Sequence, residues 1–498
     1  MIITKYTLDS INAENVIIPN SALLALPEKV LQFGTGVLLR GLPDYLIDKA
    51  NRAAIFNGRV VVVKSTSKGD LKDFRNQDNL YTVCIRGIEN GSEVEQNILS
   101  SSISRVLSAE SEWESILDVA RDPNIQVFIS NTTEVGIALI KESIHQSPPA
   151  SFPAKLLAAL YARYKALGNH KQANVVMIAT ELIPDNGSKL AEIVAELISH
   201  NALEEEFKSW FQTNVRFCNS LVDRIVPGKP DDQTLLKMQE ALGYEDNLLI
   251  MAEPYRLWAI EGDEKVSALL GLDQADAGVI VKEDIEIYRE LKVRLLNGSH
   301  TLASGIAYLS GIDTVANAMQ DETLKGYIAN VMQSEIIPAI PYPIQGNEAV
   351  EFSKAVLDRF ANPFIEHLWI NITFQYTMKI KIRILPVLLK YYEVYNQVPA
   401  NIALGFAAYL RFMRIDKRDG DRYFGLVDGK PYPVTDDRAD YFYSKSQLDE
   451  KEYVQTVLSD KELWGIDLSD LNGFIATVEE NYHYISKYGI SQASLKAQ

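Results

Sequence analysis

The chain has 498 residues, 47% apolar and 23% charged, with a formal net charge of −17. That length exceeds what one hydrophobic core supports, so two or more domains are expected. The acidic balance excludes nucleic acid and anionic membrane as main partners, and any anion-binding pocket must be locally basic.

Two cysteines, Cys84 and Cys218, fit a reducing compartment rather than a disulfide framework. The opening MIITKYTLDSIN has no basic-then-apolar leader, and no run approaches the roughly 18–20 apolar residues of a membrane span. A soluble, cytoplasmic protein is expected.

In chain order, Val30-Leu-Gln-Phe33 reads as a strand, followed by Gly34-Thr35-Gly36 and a helical pattern from Val37 to Ala50. A strand, a G-x-G turn and a helix place backbone N–H groups where a pyrophosphate is stabilised. Leu39 stands at the third glycine position, so the motif by itself also fits a tight turn without ligand. Phe33, Gly34, Thr35, Gly36 and Arg40 are the candidate cofactor contacts. Arg59–Val63 reads as a buried second strand running into Lys64-Ser-Thr-Ser-Lys68-Gly-Asp70. The early carboxylate that marks NAD is missing there, which leaves NADP open. Gln126–Ile129 and Asn174–Ile178 are further short strands. Strands alternating with helices imply an α/β, Rossmann-type domain with a mostly parallel sheet.

From residue 285 the pattern turns helical, over Ile285–Ala307, Leu324–Ile336, Ala349–Phe360, Asn362–Ile384 and Asn401–Arg414. The expected division is a dinucleotide-binding domain at 1–284 and a largely α-helical substrate domain at 285–498. Lys417–Asp421 and Asp436–Arg438 read as polar surface turns.

The strongest chemical pattern is K-x4-N-x2-H, formed by Lys292, Asn297 and His300. On an α-helix these three fall within an arc of roughly 140° and can face one pocket. A buried lysine can exchange a proton with an alcohol or ketone near neutral pH. An asparagine amide can hold the developing alkoxide, and a histidine can orient it. The plainer reading is a surface lysine, a capping asparagine and a core histidine. No H-E-x-x-H, paired C-x-x-C or G-x-S-x-G pattern occurs, so a metal-independent reaction is expected.

The segment Val215-Arg-Phe-Cys-Asn-Ser-Leu-Val-Asp223-Arg224-Ile-Val-Pro227, the K-x4-N-x2-H element and Gln32-Phe-Gly-Thr-Gly36 with Arg40 resemble the mannitol dehydrogenase family of long-chain polyol-specific dehydrogenases. Leu80–Gly87, Ser130–Gly136, Glu181–Gly187 and Arg359–Pro363 are similar to the members that act on keto-uronates. The resemblance implies a cleft between the two domains, NAD as cofactor and no metal. It implies Lys292 as acid/base, completed by Asn297 and His300, with Asn186 as an upstream oxyanion ligand. Ser130, Asn131 and Glu134 would lie near the nicotinamide. Asp223 is a candidate substrate ligand, or else an ion-pair partner of Arg224. A sugar-acid substrate needs cations, and Arg359, Lys379, Lys381, Arg383 and Arg86 are candidates, with His367. Sister members acting on other uronates or neutral polyols, and a catalytically silent NAD(H) sensor, are the alternatives. The oligomeric state is not legible.

Overall fold

The computed structural model describes residues 1–12, 14–66, 69–133, 136–344 and 346–490. They form two compact units, Met1–Arg86 with Glu93–Ile285, and Gly87–Ser92 with Glu286–Gln498.

The first unit is built on six parallel strands: β1 (Glu28–Phe33), β2 (Arg59–Lys64), β3 (Ile103–Ser108), β4 (Val127–Ser130), β5 (Val175–Ala179) and β6 (Val215–Cys218). Their order is β3-β2-β1-β4-β5-β6. Strand order reverses between β1 and β4, the place where a doubly wound sheet opens a ligand crevice beyond its strand ends. Because side chains alternate along a strand, Leu31, Phe33, Val61 and Val63 enter one core, while Val30, Val60 and Val62 enter the other. Both faces are therefore apolar, as a covered parallel sheet requires.

The helix expected over Val37–Ala50 is two helices, Val37–Gly41 and Pro43–Arg52. Pro43 starts the second, and Leu42 before it has φ −132° and ψ −76°, outside the helical region. Strands β3 and β6 have no counterpart in the expectations from sequence. β6 is short, with Arg216 exposed and Phe217 half-buried, so it shows no apolar run.

The second unit is mainly helical. Its longest helices are Gly298–Leu309, Glu348–Phe360, Ala400–Met413 and Phe474–Tyr488. Three segments wind as π turns: Lys292–Asn297, Val331–Ile336 and Ile380–Ile384. The first packs against the other two. The single helix expected over Asn362–Ile384 is instead two short turns, Trp369–Ile372 and Tyr376–Lys379, leading into a π turn. The break falls at Gln375, held in the left-handed region at φ 53°. The polar stretch after Arg414 forms a three-stranded antiparallel meander, Lys417–Asp419, Arg422–Val427 and Lys430–Val434. Among the described residues no helix is long and apolar enough to cross a membrane.

Candidate active site

In the first unit, β1, β2 and β4 end level with one another, Phe33 pairing with Val63 and with Ser130. Beyond these ends lies a cavity of about 380 Å³, lined by Gly34, Thr35, Ser65, Thr66, Asn131 and Lys155 among others. Gly34 has φ 133°, and a Cβ there would lie 2.8 Å from Leu39 Cδ1 and 2.9 Å from the Asn131 carbonyl oxygen. Only glycine lets the chain turn this tightly. The turn, the cavity and the switch point together fit the pyrophosphate and ribose of a dinucleotide.

Gln32 is the polar exception in the core of β1. Its Nε2 donates to Asp44 Oδ2 (3.1 Å) and to the Gly34 carbonyl (3.4 Å). Asp44 is fully buried, and desolvation pushes its carboxyl up to about 7. This pair fixes the carbonyl of the glycine turn from beneath.

Several expected cofactor contacts are placed otherwise. Arg40 is buried, donates to the Leu248 carbonyl at 2.5 Å, and has Phe74 and Tyr81 rings 5.7 Å and 5.4 Å from its guanidinium. It is a core clamp rather than a phosphate ligand. The Phe33 side chain packs on Phe152, centroids 5.3 Å apart, and offers the cavity little beyond its backbone. Gly36 caps the helix Val37–Gly41. The Ser130 hydroxyl is fully buried, out of the cofactor's reach. Asn131 lines the cavity, and its amide ties β4 to Thr180 (2.8 Å to the carbonyl, 3.0 Å to Oγ1). Glu134 lies outside the described residues. Lys155 and the hydroxyls of Ser65 and Thr66 were not singled out from sequence. Lys155 is the one charge in the run Phe152-Pro-Ala-Lys-Leu-Leu-Ala-Ala-Leu-Tyr161, which was the available signal. At the end of β2, the Lys64 ammonium is folded back onto the Thr66 carbonyl (2.6 Å).

Asn186 is not an oxyanion ligand. Its two amide hydrogens go to the carbonyls of Glu181 and Ser220, both at 2.9 Å, and its oxygen accepts from the N–H groups of Gly187 (2.9 Å) and Ser220 (3.0 Å). Every hydrogen-bonding position of that side chain is spent on backbone. Asp223 is buried at the end of the strand Ser220–Asp223. The Arg224 guanidinium donates to the carbonyls of Glu253 (2.9 Å) and Gly41 (2.7 Å), with its centre 4.4 Å from that of the Tyr45 ring. Arg86 is likewise structural, bonded to Asn97 Oδ1 (2.8 Å) and paired with Glu95 (3.0 Å).

In the second unit, Lys292 and Asn297 are the first and last residues of a π turn. The i→i+5 winding of such a turn sets residues five apart nearly above one another, so the x4 spacing suits this geometry better than the α-helix assumed from sequence. His300 comes one α-helical turn later. Lys292, Asn297 and His300 are half-buried. The Asn297 carbonyl accepts from Thr301 Oγ1 (2.7 Å) and Arg383 Nη1 (3.4 Å), while its side-chain amide has no partner among the described residues. The His300 ring lies parallel to Phe360 and edge-on to His367 and Trp369, at 3.8, 5.1 and 5.7 Å between centroids. Its Nε2 is buried without a hydrogen-bond partner. Such unspent buried groups are rare in folded proteins and point to a ligand.

The surroundings are strongly cationic. Burial, then His367, Arg359, Arg383 and Lys379, hold the His300 imidazole well below its usual 6.5. Burial and Lys379 lower His367. Burial, then Arg383, bring the Lys379 ammonium down to about 8, and burial brings Arg383 to about 10. Arg359 is buried. Lys381 does not join this cluster: its ammonium donates to the Leu463 carbonyl (2.8 Å). Two residues before and after it, Lys379 and Arg383 do join. Among the described residues no three His, Cys, Asp or Glu side chains gather as a metal-ligand set.

Residues 28–274 match the model of the mannitol dehydrogenase Rossmann domain, and residues 284–486 that of the mannitol dehydrogenase C-terminal domain. The chain is 38% identical over 479 residues to altronate oxidoreductase of Halalkalibacterium halodurans, covering 94% of this chain and 93% of that one. It is 37% identical over 478 residues to altronate oxidoreductase of Yersinia enterocolitica, at 94% and 96% coverage. A crystal structure of D-sorbitol dehydrogenase shares the fold with a TM-score of 0.79 at 21% identity, covering 99% of this chain and 100% of that one.

Proposed function

The chain belongs to the mannitol dehydrogenase family, and from that premise we propose that it is an NAD-dependent tagaturonate reductase, interconverting tagaturonate and altronate. The observation that carries the substrate class is the cationic cluster around His300, set in a chain of net charge −17. A nest of Arg359, Lys379, Arg383 and His367 suits a sugar that carries a carboxylate, and gives a neutral polyol no advantage.

The glycine turn and the cavity beyond β1, β2 and β4 would hold the dinucleotide, with Lys155, Ser65 and Thr66 as polar contacts. Bound there, NADH supplies the hydride that reduces the keto carbon. Lys292 delivers the proton to the carbonyl oxygen, and takes it back in the altronate-oxidising direction. The Asn297 amide donates to the oxygen as charge develops on it. His300, kept neutral by its surroundings, presents one ring N–H to the same oxygen and fixes its direction. Arg359, His367, Lys379 and Arg383 bind the sugar acid.

The test is NADH oxidation with tagaturonate, fructuronate and fructose, and NAD reduction with altronate and mannitol. The expected result is a kcat/KM for tagaturonate at least about a hundredfold above that for fructose, the worth of one charged hydrogen bond. A preference for fructose or mannitol overturns the uronate reading.

A further inference from the structure

Two arginines, one on each of the π turns Lys292–Asn297 and Ile380–Ile384, reach across to the other turn, and they are treated differently. Arg294 is saturated: Nε and Nη2 donate to the two Glu290 oxygens (2.9 and 3.1 Å), and Nη1 to the carbonyls of Ile382 (2.5 Å) and Arg383 (3.1 Å). Arg383 uses Nη1 alone, for Thr301 Oγ1 (3.0 Å) and the Asn297 carbonyl (3.4 Å). Its Nε and Nη2 have no partner, and it forms no ion pair, among the described residues. A half-buried guanidinium without a counter-ion is costly to hold. It stands beside the open amide of Asn297 and close enough to His300, with its orphaned Nε2, to be among the cations that act on that ring. Lys379, four residues earlier, adds a second charge and spends one hydrogen on the Ile372 carbonyl (2.8 Å).

We infer that Arg383 is the specificity-determining residue of the site. Its Nε–Nη2 edge takes the substrate's carboxylate as a two-pronged pair, while Nη1 stays anchored to Thr301 and Asn297. The carboxylate is thereby held in register with the catalytic turn. This inference rests on the keto-uronate reading above. A planar fork is required, because an ammonium in its place meets the carboxylate as a point charge.

Arg383→Met is assayed with tagaturonate and with tagatose, its neutral counterpart, and altronate binding is measured by calorimetry in the presence of NAD. The expected result is a rise of about a hundredfold in the KM for tagaturonate, the worth of a charged bidentate contact. The tagaturonate-to-tagatose ratio of kcat/KM should fall as far. Arg383→Lys, which keeps the charge and the fold, should raise the KM about tenfold, and Lys381→Met should leave it within twofold. A folded Arg383→Met with a tagaturonate KM within threefold of the parent overturns the inference. So does an Arg383→Lys indistinguishable from the parent, if the methionine variant does not fold. A parent protein that binds altronate but does not reduce tagaturonate, with binding lost in Arg383→Met, removes the proposed reaction and keeps the carboxylate subsite. A parent that binds no altronate overturns both.

Discussion

The imidazole of His300 lies flat on the ring of Phe360, with centroids 3.8 Å apart and planes 5° from parallel. The stack fixes the ring plane while burial and the neighbouring cations disfavour its charged form. Its pKa in the folded chain lies below the ordinary value of 6.5, so stability from this ring is present above pH about 6.5 and is lost as pH falls below it. Histidine NMR of the unliganded protein should show the His300 ring still neutral at pH values where an ordinary imidazole has taken up its proton. A ring titrating at its ordinary value contradicts a buried, cation-crowded imidazole.

Lys292→Ala should lower kcat in either direction by about 10²- to 10⁴-fold, the range for loss of a general acid/base. Its thermal midpoint should move little, since the side chain is half-buried. NADH oxidation and a thermal melt check both. Turnover within threefold of the parent would remove Lys292 from the mechanism.

Asn186→Ala should act on stability first. Four backbone groups lose their partners, and buried groups left unpaired cost about 1–3 kcal/mol each before relaxation. Denaturant unfolding should show a loss of several kcal/mol. A variant of parental stability with a large fall in kcat would restore Asn186 to the oxyanion role.

Gly34→Ala places a methyl group against Leu39 and the Asn131 carbonyl in a backbone region closed to alanine. The KM for NADH should rise more than about tenfold, because cofactor contacts depend on the turn's close backbone approach. An unchanged NADH titration by fluorescence would show that the turn does not cradle the cofactor.

Asp44 gives a pH signature of the opposite sign to His300. Its carboxyl is raised from 3.8 to about 7 in the folded chain, so stability is greatest below pH about 4 and is lost as pH rises toward 7. The span corresponds to at most about 4 kcal/mol. Asp44→Asn keeps an acceptor for Gln32 and removes the charge. It should melt higher than the parent at pH 8, with a smaller gain at pH 5. Equal gains at both pH values would mean that Asp44 is ionised in the folded protein.

The parallel sheet was legible because β2, β4 and β5 carry apolar runs between turn signals and β1 carries one broken only by Gln32, whereas the half-exposed β6 carries none. The candidate catalytic segment was picked out from Lys292, Asn297 and His300 by residue type, but its geometry was not legible, since no local pattern announces a π turn. The errors share one cause. Arg40, Asn186, Ser130 and Lys381 have the right chemistry in the right neighbourhood, yet tertiary contacts unseen in sequence consume or bury their polar groups. Lys379 and Arg383 differ from Lys381 only in phase, and the break at Gln375 together with the π turn at Ile380–Ile384 resets that phase.

A π turn is an α-helix carrying one surplus residue, with poorer internal bonding than the helix it interrupts. Excising a single position between Lys292 and Asn297 would let the rod close into regular α-helix without rotating the helix downstream. The shortened protein would be sturdier there and catalytically idle. In this one loop of backbone, toughness and turnover pull in opposite directions, and thermostability selections run without an activity screen would drift toward the dead form.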